Sequence, residues 1–399
     1  MIRFLTAGES HGPALTAIIE GFPAGMPVDF AALQADMDRR RRGYGRGGRM
    51  AIEGDRVKIL SGVRHGVTLG SPITLQIINK DWEKWQEAMA VEGAGHGDTV
   101  VIDADPALTR IDAVVTRPRP GHADLAGVLK YGHRDVRNIL ERASARETAT
   151  RVAVGAMARQ LLAQFGIAVF SGVLQIGQAV AREIPEDWEV YRANAEASLV
   201  ATPDPAAAPR MMAEIDRAKQ NGDSLGGVVE VVAVGVPAGL GSHVHWDRRL
   251  DARLSGALMS IPAIKGVAFG LGFEAAGLPG SQVHDAIYYE PERGYYRKTN
   301  HAGGIEGGIS NGEAIRIRLA MKPIPTLYRP LPTVNLVTKA AEAASVERSD
   351  TCAVPAAAVV AEAMAGWVLA EALLEKFGGD SLAEVRRNLE AYRQELRSR

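Results

Sequence analysis

Cysteine is nearly absent from this chain. Its 399 residues hold one, Cys352, so no disulfide can close within it, and this usage fits a reducing, cytoplasmic setting. Net charge is nearly absent as well. The 46 Lys and Arg against 47 Asp and Glu leave −1, which argues against a surface built for nucleic acid but permits a local basic pocket. The first residues lack the basic start and long apolar stretch of a secretory signal. No Leu-rich run of membrane-spanning character occurs. The longest apolar stretch, 352–374, is built on Ala and carries Glu362 and Glu371, so a buried helix rather than a membrane span is expected. His243 and His245 have no third ligand at motif spacing, so no metal site is expected.

What is present has the grammar of a mixed fold. Residues 14–20 are β-branched and apolar and predict a strand, closed by the Pro/Gly turn at 22–26. Asp29 then caps a predicted helix running to about Arg40. The pattern recurs as a strand over 228–236, a turn at Pro237-Ala238-Gly239-Leu240 and a helix over 247–259. Pro237 follows Pro23 by 214 residues. The Phe-Gly ends of two Ala-rich helices, Phe165-Gly166 and Phe377-Gly378, stand 212 apart. Two matches at nearly one offset predict an internal duplication, with halves of about 1–170 and 215–380 inside one domain of 1–399. Segments 79–98 and 181–210 break the symmetry and read as surface insertions. The expected class is α+β with largely antiparallel sheet.

Several strings carry chemistry. Gly8-Glu9-Ser10-His11-Gly12 matches the G-x-S-x-G of a nucleophile elbow, but only seven residues precede it, too few for the central strand an elbow follows. The other reading makes His11 the working group. The arginine-rich run 38–49 reads as a solvated helix end, as a nucleic-acid contact, or as guanidinium forks for phosphate and carboxylate. The charge balance of the whole chain favours the forks over nucleic acid. In Gly121-His122-Ala123-Asp124, Asp124 is expected to cap a helix, with His122 at the helix mouth among Arg117 and Arg119. Ser144 and Glu147 have the spacing of a capping box. The glycine-rich stretch 303–308 suits either a phosphate cradle or a hairpin turn, and Asp350, beside Arg348, reads as a plain helix cap.

In this order and spacing, these strings together with Lys130-Tyr131-Gly132, 142–148 and 322–326 resemble the chorismate synthase family over essentially the whole chain. The resemblance implies a β-α-β sandwich with internal pseudo-twofold symmetry, assembled as a homotetramer. It implies reduced FMN and the substrate 5-enolpyruvylshikimate 3-phosphate. The implied reaction is a 1,4-anti elimination of phosphate and a ring proton to give chorismate, with no net redox change. Carried over residue by residue, the catalytic groups would be His11 as acid towards the phosphate, His122 beside the reduced flavin, and Asp350 in removal of the ring proton. Flavin contacts would be Arg142, Ala143, Ser144, Pro262, Ala263, Gly307, Lys322, Pro323, Ile324, Pro325, Thr326 and Arg348. Pro262 and Pro325 stand where a polar residue and a serine are common in the family, which points to backbone contacts there. Arg40 and Arg46 would meet either NADP or the substrate's anionic groups, and Ser10, Arg49 and Arg134 the substrate. NADPH as reductant and a separate flavin reductase as partner both stay open.

Overall fold

The computed structural model describes residues 2–47, 54–92, 114–346 and 349–398. Strands β1 (Arg3–Ala7) and β2 (Ala14–Glu20) pair antiparallel, helix α1 (Phe30–Arg41) follows, and β3 (Val57–Ile59) and β4 (Ile73–Ile78) complete a sheet of order β1-β2-β4-β3. Alternation sets its faces. Leu15, Ala17 and Ile19 point into the core while Thr16, Ile18 and Glu20 point away. Helices α2 (Asp124–Tyr131), α3 (Arg137–Ala143) and α4 (Thr148–Ala163) lead to β5 (Ala168–Ile176). Then come α5 (Trp188–Ala197), α6 (Ala208–Gln220), β6 (Gly227–Val234), α7 (Leu250–Met259), β7 (Ile264–Phe269) and β8 (Ile315–Met321). The long α8 (Val354–Phe377) and α9 (Leu382–Ser398) end the chain.

The second sheet has the order β7-β8-β6-β5, widened beyond β5 by Ala179–Val180, and all its pairings are antiparallel. Both sheets therefore follow one plan. The series β1-β2-α1-β3-β4-α4 is repeated by β5-β6-α7-β7-β8-α8, with equivalent strands in equivalent places, so the second repeat begins at β5 and not near the expected residue 215. Helices α1, α4, α7 and α8 fill the layer between the sheets. This is an α+β sandwich.

The α4–α8 contact is a close one. A Cβ on Gly155 would lie 2.3 Å from the Ala363 Cβ and 2.5 Å from its Cα, so only glycine lets the helices approach this closely. Apolar on all sides, α8 has the length and composition of a membrane span, yet it is buried along nearly all its length inside this layer. Its one acidic group deep in the core, Glu362, is fully matched. It accepts from both terminal nitrogens of Arg39 at 2.7 Å, from Arg159 at 2.8 Å and from the Ser171 hydroxyl at 2.9 Å.

Several local expectations need adjusting. Asp29 does cap α1, accepting from the Ala32 N–H at 2.9 Å. The helix expected over 247–259 is split, because Arg249 is extended (φ −66°, ψ 132°), so a short turn at Trp246–Arg248 precedes α7. His243 and His245 lie in the exposed bend just before that turn, with His245 Nδ1 against Asp247 at 2.8 Å. Residues 181–210 are more than a surface insertion. The outer face of the second sheet presents Phe170 and Val232, and α5 covers them with a fully buried Tyr191.

Two outcomes follow from this core. Gly155→Ala should destabilise the fold by about 1–3 kcal/mol through overpacking, read as a lower urea midpoint. Burial would raise the Glu362 pKa, but Arg159, Arg39 and Ser171 outweigh it and bring it from its ordinary 4.5 down to about 2. A depressed carboxylate adds stability above its unfolded pKa and loses it as pH falls through the folded one. The stability gap between the native chain and Glu362→Gln should therefore be full above pH 4.5 and shrink towards pH 2; a gap that does not change with pH refutes this account.

Candidate active site

Helices α4 and α8 run in the same direction, since Gly155 faces Ala363 and Arg159 faces Gly366. Their N-termini thus point to one end of the sandwich, where partial positive charge favours anions. The loops that carry the candidate groups converge there. Ser144, at the entry to α4, donates to Ser10 at 3.2 Å, and Ser10 N–H donates to the Glu141 carbonyl at 3.0 Å. Arg119 reaches Thr326 at 3.4 Å, and Ser349, just before α8, donates to the Thr326 carbonyl at 3.2 Å.

His11 is held from its Nδ1 side. The Glu141 carboxylate lies 2.9 and 3.0 Å from Nδ1 and accepts the His11 backbone N–H at 2.9 Å. Trp85 stacks on the imidazole with ring centroids 4.0 Å apart and 24° between planes. Segment 79–98, described as far as residue 92, thus brings an aromatic cover to the histidine. The Ser10 hydroxyl is engaged with Ser144 while His11 faces Glu141, and β1 is an edge strand, so this is no nucleophile elbow.

His122 is built on the same plan, and here the expected roles change. Asp124 does not cap α2. Its carboxylate accepts from the Arg119 N–H at 3.0 Å and from Arg119 Nε at 2.9 Å, and it contacts His122 Nδ1 directly. The nearest charge to the ring is therefore a carboxylate as well as Arg119. Burial would raise the Asp124 pKa, but the hydrogen bonds from His122 and Arg119 outweigh it and hold it well below the usual carboxylate range. Ser144 caps a short turn by accepting the Arg146 N–H at 3.2 Å. Glu147 pairs with Arg151 instead of closing a capping box, because the turn Ala145–Glu147 separates Ser144 from the start of α4.

Asp350 is likewise no helix cap. Its carboxylate pairs with Arg46 at 2.6 Å and accepts the Gly47 N–H at 2.6 Å. A side chain at Gly47 would put its Cβ 2.9 Å from the Ser349 carbonyl, so glycine permits the approach. Arg40 is buried. Its guanidinium bonds Thr148 at 3.1 Å, Asp55 at 3.1 Å and the Ala145 carbonyl at 3.0 Å. Burial is the largest influence on Arg40 and brings its pKa to about 10, so it stays charged at neutral pH. Arg46 and Asp350 are near enough for their charges to act on it. Asp55 also pairs with Arg146, which is bound in turn by Asn79 Oδ1 at 2.9 and 3.1 Å. The Asn79 amide donates to the carbonyls of Glu9 and Gly12 at 3.1 and 2.7 Å, so this buried network supports the His11 loop from beneath.

The residues expected to hold a flavin separate into two places. Pro262 and Ala263 meet Lys322 through the Lys322 N–H donating to the Ala263 carbonyl at 2.9 Å, and Thr326 is bound by Arg119. Arg142, Ala143 and Ser144 lie beside the His11 loop, with Arg142 donating to Gly8 and Thr6. Gly307 is elsewhere. It turns a hairpin between Ile305–Glu306 and Ile309–Ser310, and Leu250 N–H donates to Gly308, so it sits at the start of α7 and β8 while Lys322 and Ala263 sit at their ends. Seven residues of strand separate the two by roughly 20 Å. Arg134 is exposed between α2 and α3, and Arg49 and Arg348 lie outside the described residues. Sequence reasoning missed Glu141, Asn79, Asp55 and Trp85. The one available signal was the placement of Glu141 directly before the 142–148 string.

Comparison with known proteins covers essentially the whole chain. The family model described as chorismate synthase matches residues 2–374. The chain is 58% identical over 405 residues to the chorismate synthase of Geobacter metallireducens, with 100% of both chains covered. It is 59% identical to that of Moorella thermoacetica over 396 residues, covering 99% of each. A solved structure titled as a crystal structure of chorismate synthase superposes with a TM-score of 0.78 at 44% identity, covering 100% of this chain and 99% of the other.

The Arg40–Asp55–Arg146 arrangement makes a direct prediction. Asp55→Asn leaves two buried guanidiniums without their shared counter-charge and should cost about 3–5 kcal/mol in urea unfolding. A loss below 1 kcal/mol would show that the network does not support the site.

Proposed function

The chain belongs to the chorismate synthase family, and from that premise we propose how its residues divide the work. The reaction is the elimination of phosphate from 5-enolpyruvylshikimate 3-phosphate to give chorismate, which makes the chain a carbon–oxygen lyase of aromatic biosynthesis. The observation that carries the division of labour is the shared backing of the two histidines. Each is tied through Nδ1 to a buried carboxylate, beside the paired Arg46 and Asp350, at the N-terminal end of α4 and α8. A histidine held this way has Nε2 available for proton transfer.

In this reading His11 gives a proton to the departing phosphate. Asp350, pinned by Arg46 and Gly47, serves removal of the ring proton. Arg46 and Arg134, with Arg49 outside the described residues, meet the substrate's anionic groups beside Ser10. Arg40 acts from beneath, as a fixed charge rather than as a contact. The donor set suits reduced FMN: the Lys322 ammonium is partly withdrawn from water beside Lys265, both of which lower its pKa, and Arg119 and the 322–326 backbone adjoin it. Arg142, Ala143, Ser144, Pro262, Ala263 and Lys322 through Thr326 would hold it, with Arg348 outside the described residues. When bound, it supplies electron-rich chemistry without net redox change. His122 would serve as a proton donor beside it. Gly307 joins that site only if another copy of the chain presents it, which agrees with a homotetramer. We place the enzyme in the cytoplasm and leave its reductant as NADPH or a separate reductase.

The test is anaerobic conversion of 5-enolpyruvylshikimate 3-phosphate with chemically reduced FMN, followed by chorismate absorbance. Product is expected; its absence from folded, flavin-binding protein would overturn the substrate, and absence of both would overturn the cofactor too. His122→Ala and Asp350→Ala should each lower kcat by about 100-fold or more while the fold persists. Near-normal turnover in either removes that residue's role.

A further inference from the structure

We propose that Glu141 is a positioning residue for His11, orienting the imidazole and fixing which of its nitrogens keeps a proton. The proposal rests on the reading of His11 as the acid towards phosphate. Glu141 sits in the last turn of α3, and only 3% of it is exposed. It grips the histidine loop at several points: its carboxylate takes His11 Nδ1 at 2.9 and 3.0 Å and the His11 N–H at 2.9 Å, and its carbonyl takes the Ser10 N–H at 3.0 Å. An ionised carboxylate only accepts, so a proton stays on Nδ1. Burial would raise the Glu141 pKa, but the hydrogen bonds from His11, with Arg137 adding its charge, outweigh it and leave Glu141 below its ordinary value.

The ring is also clamped on its face. Trp85 stacks on it, and the Arg137 guanidinium lies over the Trp85 ring, 5.0 Å from its centroid. Arg137 returns to Glu141 at 3.6 Å, closing a circuit of four side chains from three stretches of chain. Rotation of the imidazole would break both the stacking and the Glu141 bonds. The consequence for chemistry is a matched tautomer. When the imidazolium gives its Nε2 proton to a phosphate oxygen, the N–H bond breaks, the O–H bond forms, and the ring is left neutral with its proton on Nδ1. That neutral form still presents its Nδ1–H to Glu141, so the ring keeps its orientation through the step.

The test uses the full chain labelled with 15N-histidine, with His11→Ala to assign the signal. At a pH high enough to leave the imidazole neutral, His11 should appear as the Nδ1–H tautomer. Glu141→Ala should abolish that signature and lower kcat by about tenfold or more, with KM for the substrate changed within about threefold. Glu141→Asp should restore part of both. Should Glu141→Ala unfold on melting analysis, the isosteric Glu141→Gln takes its place, with the same fall in kcat expected from loss of the charge. A folded Glu141 variant that keeps both the tautomer signature and the turnover overturns the proposal. Loss of the signature with unchanged turnover overturns the role of His11 as acid while the structural pairing stands, so the two failures are distinguishable.

Discussion

Everything at the candidate site depends on the close, same-direction packing of α4 against α8. Gly155 lets the two helices touch, and the Glu362 cluster ties α1, α4, α8 and β5 into one layer. Because the helices run in step, their N-termini finish together, and two half-charges add at one end of the sandwich. Had they run in opposite directions, Ser144 and Asp350 would lie at opposite ends. The chemistry is thus set by a contact with no reactive group in it.

The site itself is built by charge pairing within the fold rather than by exposed cations. Arg40, Arg46, Arg119 and Arg146 each have a carboxylate partner. Such pairs contribute less to stability than their number suggests, since desolvation offsets the attraction. Their value here is geometric, because each pair fixes a loop with few regular hydrogen bonds of its own. A sequence rich in arginine whose charges nearly cancel is what this construction requires.

Much of the architecture was legible in the sequence because it depends on local chemistry. Periodicity gave β2 its bounds, Asp29 marked the start of α1, and the recurrence of Pro23 at Pro237 matches the repeated order of strands. The helix 247–259 was misjudged at its start because one extended residue, Arg249, interrupts an otherwise helical pattern. At the candidate site, His11, His122 and Asp350 were singled out through the family resemblance, but their partners were not. Glu141 meets His11 across 130 residues, and Asp55 meets Arg146 across 91, separations at which spacing carries no signal. Asp124 failed differently: a capping residue and a histidine partner look alike until the Arg119 side chain is seen to compete for it.

Asn79 gives this construction a kinematic property. It begins the stretch that carries Trp85, and its side chain also ties down the carbonyls of Glu9 and Gly12 and receives Arg146. The support of the histidine and the cover over its ring therefore share one pivot. The loop backbone and the stretch bearing the indole above it are thus tied to each other through one side chain. Asn79 is itself held by Arg146, which pairs with the buried Asp55.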